Sequence, residues 1–280
     1  RMEYKADRLR EPMDRKELPT MQLTYASYLH LNQLLALQTP RSQPPEHDEA
    51  LFIIVHQTYE LWFKLLLHEL EKVCGDFDRG DLFAAIHTWK RCRTVMKTLV
   101  AQIDIVETMT PMSFASFRDR LDTASGFQSI QFREVEFLLG YKRQELLKYA
   151  PEQDPRRAQL EARLFAPSVN DFFRRFLTRH GVSIPEALPP QPLQEPTCGN
   201  EDLQAAILRL YRERPELGIL FELMTDFDEG LQEWRYRHVK LVERTIGNKR
   251  GTGGSLGVEF LKRTLFHPVF PDLWEIRHQI

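Results

Sequence analysis

The chain has 280 residues, 42% of them hydrophobic and 28% charged, with 18 Phe, 8 Tyr and 4 Trp; this balance suits a packed core and excludes a wholly disordered chain. Lys and Arg total 38 against 40 Asp and Glu, so no global positive field gathers nucleic acid or anionic lipid, and neither is expected as a partner. The longest apolar run near the centre, Leu51 to Val55, falls well below the roughly 18 to 20 residues that span a bilayer, so no membrane segment is expected.

Residues 1–20 read as a charged N-terminal segment, with eleven charges in the first 17 positions. They lack the apolar stretch of a signal peptide, and a cytoplasmic location follows as the expectation. The rest of the chain, 21–280, is expected to form one all-α domain. Leu23 to Gln38 has apolar residues at helical spacing until Pro40, Pro44 and Pro45 stop it. From Asp48 to Cys74, Phe52, His56, Tyr59, Phe63, Leu66 and Leu70 fall on one stripe, which predicts a long core helix. Leu82 to Met109 repeats the pattern and stops before Pro111, so two long antiparallel helices are expected.

Between Pro111 and Gly140 the spacing of Phe114, Phe117, Arg118, Ser125, Gly126, Phe127, Gln128 and Gln131 is less regular, and this stretch reads as a loop feeding a helix. Residues 185–196 hold five prolines and read as an exposed connection within the bundle or between domains. Asp226 to Ile246 carries Phe227, Leu231, Trp234, Leu241 and Val242 on one face, with His238 on it and Gly247 as the stop. Five of the thirteen glycines then fall between Gly247 and Gly257, which predicts a mobile loop between two helices. Nothing of useful length alternates with period two.

The glycine loop fits neither phosphate-binding signature, because Lys249 precedes the glycines and residue 256 is Leu. Its backbone N–H groups and the Thr252 hydroxyl could grip a carboxylate, or the loop could be a plain surface connection. Cys74, Cys92 and Cys198 are odd in number and widely spaced, so buried or idle thiols are expected rather than disulfides or a zinc site. His56 among Phe52, Tyr59 and Phe63, and His238 beside Trp234 and Leu241, each read either as a core histidine or as a neutral imidazole able to ligate haem iron across a flat cofactor. Glu-x-x-His on each of two helices and His-Glu-x-x-His do not occur in the sequence. His56 and Glu60 are four apart, a spacing that fits a local hydrogen bond better than a shared metal.

Five blocks together resemble the tryptophan 2,3-dioxygenase family: Leu23-Thr24-Tyr25-Ala26-Ser27-Tyr28-Leu29; His47-Asp48-Glu49 with Leu51 to Thr58; Phe117-Arg118 with Ser125 to Ser129; Trp234-Arg235-Tyr236-Arg237-His238; and Lys249 to Ser255. The resemblance implies a homotetrameric haem b enzyme, ferrous when active. It would insert both atoms of O2 into the indole C2–C3 bond of L-tryptophan to give N-formylkynurenine. On the matched positions it implies His238 as the iron ligand, His56 as the group meeting the indole N–H, Arg118 on the substrate carboxylate and Thr252 at the amino-acid end. Phe52 would pack on the indole, and Ser125 and Gly126 would lie near a haem propionate and the distal face. Tyr25, Tyr28 and Leu29 would belong to a segment reaching a neighbouring subunit's pocket. Phe114 departs from relatives with Tyr there and lacks the hydroxyl. A haem dioxygenase of another indoleamine, a non-catalytic haem or tryptophan sensor and a helical interaction protein are the competing readings.

Overall fold

The computed structural model describes residues 22–184, 197–247, 249 and 258–280. The charged segment expected at 1–20, the proline-rich stretch at 185–196 and the glycine loop with Thr252 lie outside the described residues. The chain divides into two compact units, Arg1–Thr39 and Pro40–Ile280. No strand occurs among the described residues, as the all-α expectation requires.

In the first unit, α1 (Tyr25–Tyr28) and α2 (Leu31–Leu34) are single turns. Thr24 and Ser27 cap α1 reciprocally, and His30 between the two helices is left-handed, with φ 51°. The continuous helix expected over Leu23–Gln38 is therefore broken. Neither turn has a buried residue, and so short a helix without a packed face is not self-sustaining.

The second unit holds α3 (His47–Arg79), α4 (Leu82–Val106), α5 (Pro111–Arg118), α6 (Ile130–Leu138), α7 (Arg157–Phe165), α8 (Val169–Arg179), α9 (Glu201–Glu213), α10 (Pro215–Ile246), α11 (Val258–Lys262) and α12 (Pro271–Glu275). Phe63, Leu66, Leu67, Leu70, Val73, Cys74 and Phe77 form the buried stripe of α3, at spacings of one and three that keep them on one face. Gly80, left-handed at φ 72°, ends α3, and Asp81 starts α4 by accepting from the Ala84 N–H.

Side-chain bridges fix the directions of the long helices. Asp76 meets Thr88, Glu69 meets Arg91 at 2.9 Å, and the Tyr59 hydroxyl donates to the Leu99 carbonyl at 2.8 Å. Numbers fall on α3 as they rise on α4, so the pair is antiparallel as expected. Arg93–Asp226 at 2.7 Å and Arg237–Asp104 at 2.5 Å rise together, so α10 runs parallel to α4. Trp89 of α4, fully buried, packs edge-on against Phe227 of α10 and Phe270.

Three sequence expectations change here. The helix expected from Asp226 begins at Pro215, whose fixed φ suits a first turn and behind which Leu217, Leu220, Phe221 and Met224 are buried. The stretch after Pro111 is itself helical: Thr110 caps α5 through the Ser113 N–H, with Pro111 in its first turn. Finally, α3 is long and apolar enough by length and composition to cross a membrane, with mean hydropathy 1.3, although its uninterrupted apolar run is short. Within the apolar window of this helix 22% of the residues are buried, and the buried residues of the helix include Val55, Phe63, Leu66, Leu67 and Leu70.

Asp228 clasps the C-terminal segment to α10. Fully buried, it accepts from the Val269 and Phe270 N–H groups and from Trp274 Nε1, at 2.8 to 3.0 Å. Asp228→Ala leaves three donors without a partner and is expected to lower stability by on the order of 3 kcal/mol. Urea unfolding measures the loss, with Asp228→Asn falling between wild type and Ala.

Candidate active site

The stripe predicted on α3 divides between two environments. Towards its C-terminal end it feeds the core, whereas His56, Tyr59, Glu60 and Phe63 open on a cavity of about 310 Å³. Opposite them α10 contributes Trp234, Arg235, His238, Leu241 and Val242. Ile103 and Val106 of α4, Phe114 and Arg118 of α5, the Ser125–Phe127 turn, α6 and α11 complete the wall. A small apolar cluster of Val55, Val106, Met109 and Phe117, with Phe114 packed on it, seats α5 and so aims Arg118.

Both imidazoles are held neutral. Burial lowers the pKa of His238 to about 4, and His56 and Arg133 nearby act in the same direction. The Trp234 ring stacks on it one turn earlier, with centroids 5.3 Å apart and planes 10° from parallel. Burial also lowers His56, against the opposing pull of its hydrogen bond to Phe52 and of Glu60. His56 Nδ1 lies 2.7 Å from the Phe52 carbonyl oxygen. A carbonyl can only accept, so Nδ1 carries the proton and Nε2 of the neutral ring is left as an acceptor. The hydrogen bond expected between His56 and Glu60 gives way to separate partners, since Gln131 Nε2 donates to the Glu60 carboxylate at 2.8 Å and to its carbonyl at 2.9 Å.

Of the residues singled out in the sequence, His56, Arg118, Ser125, Gly126 and His238 share this one cavity. Phe52 does not contribute to the wall. Its ring lies 4.0 Å from that of His56 and 5.8 Å from that of Phe114, so its contact is with the histidine. Ser125 caps the turn that follows: its hydroxyl accepts from the Phe127 N–H, and its own N–H donates to Gln128 Oε1. A Cβ built on Gly126 meets nothing within 4 Å, so this position opens the wall without any backbone demand for glycine. Tyr25, Tyr28 and Leu29 belong to the first unit and are 76%, 68% and 40% exposed.

Glu136, Arg133, Arg143 and Arg235 line the cavity too, and none of them was given a role on sequence alone. Glu136 of α6, fully buried, meets Arg133, Arg143 at 3.0 Å and Arg235 at 3.9 Å. Burial alone would raise the Glu136 carboxyl, but the three guanidiniums outweigh it and hold it below its ordinary value. The available signal was Arg133 and Glu136, three apart in a helix otherwise rich in Ile, Phe, Val and Leu.

The sequence matches the family described as tryptophan 2,3-dioxygenase over residues 13–163 and 197–280. The chain belongs to the tryptophan 2,3-dioxygenase family. Tryptophan 2,3-dioxygenases of Herpetosiphon aurantiacus and Anaeromyxobacter dehalogenans are each 50% identical to it, over 91% of this chain and 97% and 95% of their own. That of Caulobacter vibrioides is 41% identical over 92% of this chain and 98% of its own.

The neutral state of His56 has a measurable sign. Its folded pKa lies below the unfolded 6.5, so the unfolded chain takes up a proton first and stability falls as pH drops from about 6.5. His56→Gln is expected to flatten that slope. Nitrogen-15 imidazole NMR at pH 7 is expected to show the Nδ1–H tautomer at His56.

Proposed function

We propose that this cavity is the site at which the chain carries out its family's reaction, with haem b held by His238 and ferrous in the active state. The reaction inserts both atoms of O2 into the indole C2–C3 bond of L-tryptophan and gives N-formylkynurenine. The observation that carries this reading is the pair of neutral imidazoles, on α3 and α10, in the wall of one cavity. The residues suit the group: a desolvated neutral imidazole is a haem axial ligand, and the missing side chain at Gly126 leaves room beside it.

Haem, when bound, supplies the redox-active iron at which dioxygen becomes reactive. The chain's own residues pose the amino acid. His56 Nε2 accepts the indole N–H and orients the ring; it is no base for it, because an indole N–H is far less acidic than imidazolium. Phe52 acts through His56 by holding that ring. Arg118 takes the substrate carboxylate with parallel hydrogen bonds, the Thr252 hydroxyl adds to the amino-acid end, and Phe114 offers apolar surface without a hydroxyl. Ser125, whose oxygen already accepts from the Phe127 N–H, has its hydroxyl proton to give to a bound group.

A homotetramer is part of the same reading, with Tyr25, Tyr28 and Leu29 entering a neighbour's pocket. Their exposure in the chain favours such a contact. Free, buried thiols at Cys74 and Cys92 suit the reducing cytoplasm.

Purified protein is expected to show a Soret band that shifts when carbon monoxide meets the reduced form, and to make formylkynurenine from tryptophan. Protein that stays colourless with haemin overturns the reading. His238→Ala is expected to lose haem. Arg118→Ala is expected to raise KM for L-tryptophan about ten- to a hundredfold while sparing tryptamine, which has no carboxylate; an equal effect on both removes the assignment. Gly126→Ala is expected to keep the wild-type Tm yet hold haem or substrate more weakly, which equilibrium titration reads directly.

A further inference from the structure

The two imidazoles of the cavity are held in different ways. His56 is fixed by a hydrogen bond, with Nδ1 2.7 Å from the Phe52 carbonyl oxygen. Among the described residues no carbonyl, carboxylate or hydroxyl hydrogen-bonds to the His238 ring. What it has is Trp234, one turn earlier on α10, with ring centroids 5.3 Å apart and planes 10° from parallel. Near-parallel planes at that separation make an offset stack. A metal-ligating histidine ordinarily keeps its tautomer and ring orientation through an acceptor on its second nitrogen, and at His238 that acceptor is replaced by a flat ring.

Trp234 is itself clamped. It is 8% exposed, and the Phe132 ring of α6 lies 5.2 Å from it at 50°. Tyr59 and Phe63 of α3 lie 6.3 Å away, at 63° and 87°. Phe63 also meets Phe132 at 5.3 Å, and the Tyr59 hydroxyl is tied to the Leu99 carbonyl of α4 at 2.8 Å. Rings from α3 and α6, braced on α4, therefore leave the indole little freedom. The terminal torsion of a histidine is broad and roughly twofold, so the ring needs a neighbour to choose its plane. Four residues apart on a helix, Trp234 and His238 are adjacent, and both open on the same cavity.

We propose that Trp234 is the positioning residue of His238: the clamped indole, in place of a hydrogen bond, sets the plane of the imidazole and so the direction in which its ring nitrogen is offered to iron. A ring held in this way stays a plain neutral imidazole, without the added basicity that an acceptor on its second nitrogen confers. An aliphatic side chain at 234 would fill the same space but impose no plane. The proposal rests on the haem reading above.

The test uses the full-length, haem-loaded chain in its ferrous form, read by the iron–histidine stretching band in resonance Raman and by haem transfer to an apoglobin acceptor. Trp234→Met keeps bulk but removes the ring. It is expected to broaden or split the band, as the imidazole samples more than one plane, and to speed haem transfer about ten- to a hundredfold. Trp234→Phe keeps a ring and is expected to return a single narrow band and most of the haem retention. Trp234→Met with the band and transfer rate of wild type overturns the proposal, whatever its loss in urea unfolding, and leaves Trp234 as core filling. A crystal structure of the haem-loaded wild type with a carbonyl or carboxylate on the second ring nitrogen of His238 also overturns it, and that result needs no substitution to fold. Wild type that takes up no haem, or shows no iron–histidine band, brings down the haem reading itself and this proposal with it.

Discussion

An imidazole taken out of water gives up its proton, and α3 and α10 bring two of them to one largely apolar cavity. Neutrality is what the proposed reaction asks of both rings. In that proposal, a charged ring at His238 would have no lone pair for iron, and one at His56 would have none for an indole N–H. Desolvation lowers both rings, although His56 keeps an exposed face and is also fixed by the Phe52 carbonyl. An aromatic ring packs on each imidazole: Trp234, in the cavity wall, stacks on His238, and Phe52, outside the wall, lies against His56.

The long helices make that geometry possible because each has two working ends. At 33 residues, α3 extends about 50 Å, enough for one end to supply the core beside α4 and α8 and the other to supply the wall of a pocket. The shared partner α4 sets the alignment: antiparallel to α3 and parallel to α10, it runs its last turns, with Ile103 and Val106, beneath the pocket. Tyr59 joins the two functions, lining the cavity with its ring while its hydroxyl reaches the Leu99 carbonyl. The α5 cluster then brings Arg118 to the same opening from a separate element.

Much of this was legible in the chain itself. The periodicity of α3 and α4 placed both helices and, on α3, the core positions Phe63, Leu66 and Leu70, and Gly247 marked the end of α10. His56 and His238 stood out as imidazoles on aromatic faces, but choosing between core filler and iron ligand needed the resemblance, since periodicity cannot say whether a face meets side chains or a void. Local spacing also misjudged Leu23–Gln38, where nothing buried sustains a helix, and the stretch after Pro111, where a capped first turn looks like irregular chain. The arginine cluster was hidden for a different reason. Its members come from α6, the chain just beyond it and α10, and only tertiary packing shows that one glutamate must serve all three.

The clasp at Asp228 makes the closing segment part of the machinery of α10. Asp228 sits on the same helix as His238, fewer than three turns before it. A nonsense codon upstream of Val269 would therefore do more than shorten the chain. It would strand a carboxylate inside the protein with no backbone donor to meet it, just where that helix must keep its rotational setting for the imidazole to face the cavity.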